Sequence, residues 1–173
     1  MLQIAICDDI PAYQQIIQSE IEKVLKLSHK ITFFSTGKEF LEKLSEGKCP
    51  YQIVFMDIDF GTENISGISI AKKISAVNPM TQIIFISQYL EFASDVYETA
   101  HVYFIIKNRL SELLGKALNT ALSKLSEVQK QHLYFRTKQG LQKVDIHKIW
   151  YMEKNLRNTF LFTASETFQT SQK

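Results

Sequence analysis

The spacing of apolar residues changes near residue 130. Up to that point, short unbroken apolar runs alternate with stretches of helical period. The runs are LQIAIC (2–7), ITFF (31–34), YQIVFM (51–56), TQIIFIS (81–87) and HVYFII (101–106). A strand with one face in water alternates apolar and polar residues, so unbroken runs predict strands covered on both faces. Between the runs, apolar residues recur at i, i+3 and i+4. Tyr13, Ile16, Ile17, Ile21, Val24 and Leu25 form the first stripe, Phe40, Leu41 and Leu44 the second, and Ile68, Ile70, Ala71 and Ile74 the third. A fourth stretch, from about 89 to 99, is short and less apolar; the fifth, from about 109 to 130, carries Leu110, Leu113, Leu114, Ala117, Leu118, Ala121, Leu122 and Leu125. Five strands alternating with five helices predict an α/β fold on a parallel, doubly wound sheet.

Beyond residue 130 the pattern is β. HLYFRT (132–137), LQKVDI (141–146), KIWYME (148–153) and TFLFT (159–163) predict consecutive short antiparallel strands, with Gly140 in the first hairpin turn. The expected division is 1–125 for the α/β domain and 126–173 for a short all-β module, the fifth helix running into it.

With 173 residues, 45% hydrophobic and 22% charged, the chain has material for one full domain and part of another. No apolar run approaches the ~18 residues that span a bilayer, and no export signal opens the chain, so a cytoplasmic protein without a membrane partner is expected. Cys7 and Cys49 fit neither a disulfide framework nor metal-ligand spacing and read as reduced thiols. The net charge of +2 is unevenly spread: residues 131–173 hold seven Lys or Arg against three acids, and residues 1–130 thirteen against fifteen. A basic tail on a slightly acidic body points to a polyanionic partner for the tail.

In open α/β sheets the reactive crevice lies outside the carboxyl ends of the strands. The residues that finish the predicted strands there are Asp8, Asp9, Asp57, Ser87 and Lys107. Carboxylates gathered in one crevice repel one another unless a hard cation with oxygen ligands joins them, which implies Mg²⁺. Ser87 can hydrogen-bond a phosphoryl oxygen, and Lys107 can pair with its charge. Asp57 is then placed as the nucleophile of an in-line phosphoryl transfer that yields an acyl phosphate.

These residues resemble those of the receiver domains of two-component response regulators. The resemblance runs from residue 1 to about 125 and is carried by ICDD with Asp8 and Asp9, IVFMDID with Asp57, IIFIS with Ser87 and YFIIKN with Lys107. It implies a flavodoxin-like sheet of strand order 2-1-3-4-5. It also implies that Asp57 accepts a phosphoryl group from a sensor histidine kinase. Self-phosphorylation and self-dephosphorylation are then the only chemistry, and the protein is not a turnover enzyme. Homodimerisation on phosphorylation, through the fourth helix, fifth strand and fifth helix, is implied too, and Leu90, Phe92 and Tyr97 are apolar residues available there. By the same resemblance Asp9 binds Mg²⁺ directly, Asp8 binds it through water, and Asp59 contributes its backbone carbonyl. Ser87 and Phe104 would form the switch, the aromatic turning inward as the hydroxyl is drawn to the phosphoryl group.

Two departures stand out. Gly67 lies ten positions beyond Asp57, so the intervening loop, which holds Asp59 and Glu63 and no proline, is two residues longer than the family's usual one. Asn108 replaces the proline that commonly follows the lysine, which leaves the geometry of that peptide bond open. DIDFGT (57–62) also resembles the haloacid dehalogenase phosphatases, in which the first carboxylate attacks phosphorus and the second is the general acid and base. Against that reading, the pair follows the third strand, Asp8 and Asp9 have no role, and Phe60 disturbs the spacing.

The segment HLYFRTKQGLQKVDIHKIWYMEKNLRNTFLFT (132–163) resembles the start of a LytTR DNA-binding domain, and the likeness stops at roughly half of that family's domain. Duplex DNA is the implied partner of a completed domain. Lys154, Arg157 and Asn158, in the expected loop KNLRN, are the implied contacts, Arg or Asn for base edges and Lys for phosphate. Trp150, Phe160 and Phe162 are expected to need a covering surface. Two functions follow: a LytTR-type transcriptional regulator, or a phosphoacceptor and dimerisation module without DNA binding.

Overall fold

All five unbroken runs become strands of one parallel sheet: β1 (Leu2–Cys7), β2 (His29–Phe34), β3 (Ile53–Asp57), β4 (Gln82–Ser87) and β5 (Tyr103–Ile106). Their order, β2-β1-β3-β4-β5, is the expected flavodoxin-like one. The computed structural model describes residues 1–45, 49–61, 65–130, 132–137, 140–156 and 158–171. The chain divides into two compact units, Met1–Leu125 and Ser126–Lys173.

Strands β3 and β4 are buried along their whole length, whereas the edge strands β2 and β5 are only partly so. Side chains of β3 therefore leave alternately into two apolar layers. Ile53 and Phe55 enter the layer of Ile17 and Ile21, from α1 (Pro11–Val24), and Leu114, Ala117 and Leu118, from α5 (Leu110–Lys130). Val54 and Met56 enter the opposite layer with Phe40, from α2 (Gly37–Ser45), and Ile70 and Ile74, from α3 (Gly67–Val77). Each such large side chain taken fully out of water contributes about 1.5–3 kcal/mol. Helix α1 opens on Pro11, whose missing N–H and preset φ suit a first helical position.

The fourth helix is shorter than the sequence predicts. A single 3₁₀ turn, Leu90–Phe92, leads into one α-helical turn, α4 (Ala93–Val96). Val96 is the only buried residue of the two, so no apolar stripe rewards a longer helix. Side chains also compete with the helix for its carbonyls: Ser94 Oγ donates to Glu91 O at 3.2 Å and Thr99 Oγ1 to Val96 O at 2.7 Å. The Lys107–Asn108 bond is trans.

In the second unit, β6 (His132–Thr137) and β7 (Gly140–Asp145) form an antiparallel hairpin. A 3₁₀ turn, Ile146–Lys148, capped by Asp145 Oδ1 accepting from His147 N–H at 2.9 Å, leads to β8 (Ile149–Asn155). With β9 (Asn158–Thr163) and β10 (Thr167–Ser171) it makes a three-stranded antiparallel sheet of order β10-β9-β8. Strand β10 has Phe168 as its one apolar residue, and a single apolar position leaves no periodic signal in sequence. Among the described residues no helix is long and apolar enough to cross a membrane.

Candidate functional site

After β1 the chain moves outward to β2 and returns past it to β3, so the strand order reverses between β1 and β3. Crevices form where such a reversal sends successive connections to opposite faces. The carboxyl ends of these two neighbours deliver Asp8 and Asp57, β4 brings Ser87, and the 3₁₀ turn Lys107–Arg109 that follows β5 brings Lys107.

Lys107 Nζ lies 2.6 Å from Asp57 Oδ2 and 2.8 Å from Asp8 Oδ2, and all three residues are buried. Asp57 Oδ1 accepts hydrogen bonds from the backbone N–H groups of Ile58 at 2.7 Å and Asp59 at 3.3 Å. Asp8 Oδ1 accepts from Ile10 N–H at 3.0 Å. The approach of Lys107 to Asp8 is an ion-pair contact off hydrogen-bond geometry, which leaves Asp8 Oδ2 a buried oxygen without a hydrogen-bond donor. Burial pushes the Asp57 carboxyl up to about 6, against the opposing hydrogen bond and charge of Lys107. Burial raises Asp8 as well. It works to lower the Lys107 ammonium, but the hydrogen bond to Asp57 and the negative charges of Asp57 and Asp8 outweigh it and hold the lysine above its ordinary value.

Oxygens of Asp8, Asp9 and Asp57 lie within 4.8 Å of one another. These carboxylates outnumber the buried ammonium beside them, and Asp8 Oδ2 accepts no hydrogen bond. An all-oxygen donor set with excess negative charge suits a hard divalent cation. A cavity of about 180 Å³ opens on this cluster, with Asp9, Asp57, Asp59, Gly61, Tyr89 and Lys107 in its wall.

Of the other expected site residues, Ser87 is buried and its Oγ accepts from Tyr89 N–H at 3.1 Å. Phe104 is half-buried, pairs with Phe85 across the β4–β5 ladder and packs against the layer under α2 and α3. Asp59 Oδ1 accepts from Gly61 N–H at 3.0 Å, so its carboxylate is tied into the turn of its own loop, and its backbone bridges to Ser66. This is not the disposition of a general acid poised beside Asp57, and the phosphatase reading of the pair is set aside. Glu63 lies outside the described residues.

The expected DNA-contact loop is corrected. Strand β8 runs to Asn155 and β9 starts at Asn158, so Lys154 and Asn158 are ladder residues, opposite Thr159 and Asn155. Leu156 adopts a left-handed φ of 53°, and Arg157 lies outside the described residues. Lys154 is exposed and Asn158 half-buried. Trp150 is 71% exposed, while Phe160 and Phe162 are half-buried, Phe162 stacking on Tyr151 with centroids 4.3 Å apart.

Two supporting residues were not foreseen. Gln14, buried on α1, donates through Nε2 to the carbonyls of Asp8 at 2.7 Å and Phe34 at 3.3 Å, tying the ends of β1 and β2 together. In sequence it is one polar residue in an amphipathic helix. Gly61 has a φ of +64°, and a Cβ there would stand 3.2 Å from Asp9 Oδ2, within the acidic cluster.

Known proteins share this architecture. Residues 4–119 match the family model described as the response regulator receiver domain. The response regulatory domain of protein mrkE from Klebsiella pneumoniae is 21% identical, with a TM-score of 0.64 over 73% of this chain and 99% of that one. A response regulator receiver domain protein from Clostridium thermocellum is 19% identical, with a TM-score of 0.62 over 74% and 99%. Response regulator protein TrrA from Thermotoga maritima, solved in complex with Mg²⁺-BeF, is 26% identical, with a TM-score of 0.57 over 69% and 99%. No curated protein matches the chain. Since the family match takes in more than half of the residues, and the sheet that carries the acidic cluster lies inside it, the chain belongs to the response regulator receiver domain family.

Proposed function

We propose that this chain is a response regulator of a two-component system, in which Asp57 accepts a phosphoryl group from a sensor histidine kinase. The contact of Lys107 with both Asp57 and Asp8, beside Asp9, is the observation that carries the reading. In the transfer, the P–N bond of a phosphohistidine breaks as an O–P bond forms at the Asp57 carboxylate. Lys107 keeps its protons and passes from the Asp57 carboxylate to the phosphoryl oxygens. Ser87 turns its hydroxyl from accepting the Tyr89 N–H to donating to the same group. Asp9, Asp8, Asp57 and the carbonyl of Asp59 would hold Mg²⁺, which when bound offsets the negative charge of the acids and the phosphoryl group. The Mg²⁺-BeF complex of the Thermotoga maritima relative supports that choice of ion.

Incubation with acetyl phosphate and Mg²⁺ should label the protein once, and Asp57→Asn should abolish the label. A labelled Asn variant would defeat the assignment, and phosphate release over many turnovers would restore the phosphatase reading.

In the same reading, Ser87 and Phe104 relay phosphorylation to the surface of α4, β5 and α5, where dimerisation takes place. A phosphoryl group that draws in Ser87 vacates space beside β5, and a half-buried ring there can change its depth at modest cost. The β-rich unit, 126–173, corresponds to the first part of a LytTR-type DNA-binding output, whose completed form would take duplex DNA. Its basic charge, its antiparallel strands and the exposed Lys154 support this role. A second reading, phosphoacceptor and dimerisation without DNA, is favoured by Leu90 and Tyr97, 66% and 82% exposed next to α4. Duplex binding at several salt concentrations separates the two: sequence preference that survives at high salt supports DNA output, and weak affinity governed by charge alone supports the second.

A further inference from the structure

The ammonium that joins Asp57 and Asp8 has a third neighbour, on α1. Lys107 Nζ stands 4.2 Å from the centroid of the Tyr13 ring, over its face. Tyr13 is in the first turn of the helix, where its N–H donates to the Ile10 carbonyl at 2.9 Å. The residue is half-buried and borders a cavity of about 330 Å³ together with Ile16, Lys107 and Arg109. An aromatic face carries the negative part of the ring quadrupole and attracts a cation without donating or accepting a proton.

The other two neighbours are the carboxylates at 2.6 and 2.8 Å. Neither is constant through phosphoryl transfer. Asp57 loses its charge to the phosphoryl oxygens when its O–P bond forms, and the Asp8 oxygen belongs to the acidic cluster that would hold the cation. The ring is neither reactant nor ligand, so its attraction for the ammonium persists while the charges beside it are redistributed.

We infer that Tyr13 is a positioning residue for phosphoryl transfer at Asp57: its ring face keeps the Lys107 ammonium in the crevice as negative charge leaves the Asp57 carboxylate. The inference rests on Asp57 being the phosphoacceptor. With acetyl phosphate as donor, the bond between acetyl oxygen and phosphorus breaks, acetate leaves, and the new bond joins Asp57 to phosphorus. The phenol hydroxyl has no part in this, so phenylalanine replaces Tyr13 and leucine does not.

The test is labelling of the whole chain at saturating Mg²⁺ over a range of acetyl phosphate concentrations, for wild type, Tyr13→Phe, Tyr13→Leu and Tyr13→pentafluorophenylalanine. The saturating rate constant is expected to fall about fivefold in Tyr13→Leu with little change in the half-saturating concentration, and to stay near wild type in Tyr13→Phe. The fluorinated ring keeps the shape of phenylalanine but reverses the charge of its face, so it should label as slowly as leucine. If the leucine variant fails to fold, the comparison of the two aromatic rings decides. Wild-type rates in the leucine or fluorinated variants, or equal slowing in Tyr13→Phe, would overturn the inference alone. A wild-type chain that takes no label would overturn the assignment of Asp57 and this inference with it.

Discussion

A carboxyl that titrates near 6 in the folded chain holds its proton more tightly there than in the unfolded chain, where an aspartate titrates near about 3.9. Between those values the folded state binds the additional proton, so Asp57 makes stability fall as pH rises from about 4 to about 6, by an amount on the order of 3 kcal/mol. Above that window the buried carboxylate is a standing cost. In the metal-free protein Asp57→Asn should therefore melt several degrees higher than wild type near pH 7.5, an advantage that shrinks towards pH 4. Thermal melts in chelator across that range check this, and parallel curves for the two proteins would contradict it. Mg²⁺ should reverse the order. A ligand that binds only the native state stabilises it, so added Mg²⁺ should raise the melting temperature of wild type and do so much less for Asp57→Asn or Asp9→Asn.

The entry of α3 shows how an element sets the site. Ser66 caps the helix, its Oγ accepting from Ser69 N–H at 3.2 Å, and Gly67 follows with its N–H on the Ile58 carbonyl at 2.9 Å. A Cβ on Gly67 would overlap the backbone carbonyl of Asp57 and press on Met56 Cγ at 2.9 Å. Ser66→Ala loses one cap, worth about 1 kcal/mol. Gly67→Ala must push helix and strand apart, at roughly 3 kcal/mol, and displaces the backbone that presents Asp57. Urea unfolding should show the larger loss for Gly67→Ala, together with slowed labelling by acetyl phosphate; equal losses in the two variants would argue against this account. The sequence singles out Gly67 by its offset from Asp57, while the reason only glycine fits belongs to a close approach of two backbones.

At the scale of the whole molecule, the receiver match ends inside the first compact unit, Met1–Leu125. Both apolar layers flanking the parallel sheet, and every residue proposed for phosphoryl transfer, lie within it. A chain cut after Leu125 is therefore expected to unfold in one transition and to take label from acetyl phosphate at the full-length rate. Calorimetry and a labelling time course test this; a shortened chain that fails to label would make the second unit part of the site.

How much was legible follows from which interactions carry each feature. Strands β1, β3 and β4 are buried on both faces, so their unbroken apolar runs announced them, and with them the position of Asp8, Asp57 and Ser87 at the strand ends. The helices α1, α3 and α5 each pack one stripe on the sheet and were readable for the same reason. Elements held by their backbone ladder or by short-range hydrogen bonds were not: β10 left no pattern, α4 proved a single turn, and Lys154 and Asn158, expected in a loop, lie in paired strands. In the site, residue types and order along the chain were enough to gather the acids and the lysine. The contact of Lys107 with two buried carboxylates, the ring of Tyr13 behind it, the amide of Gln14 under Asp8 and the fit of Gly67 against Asp57 were decided by tertiary structure alone. The contacts of Lys107 join residues 50 or more positions apart, and those of Gln14 and Gly67, 6 and 10 positions from their partners, depend on how the chain turns at the sheet edge; no pattern of hydrophobic and polar positions encodes either.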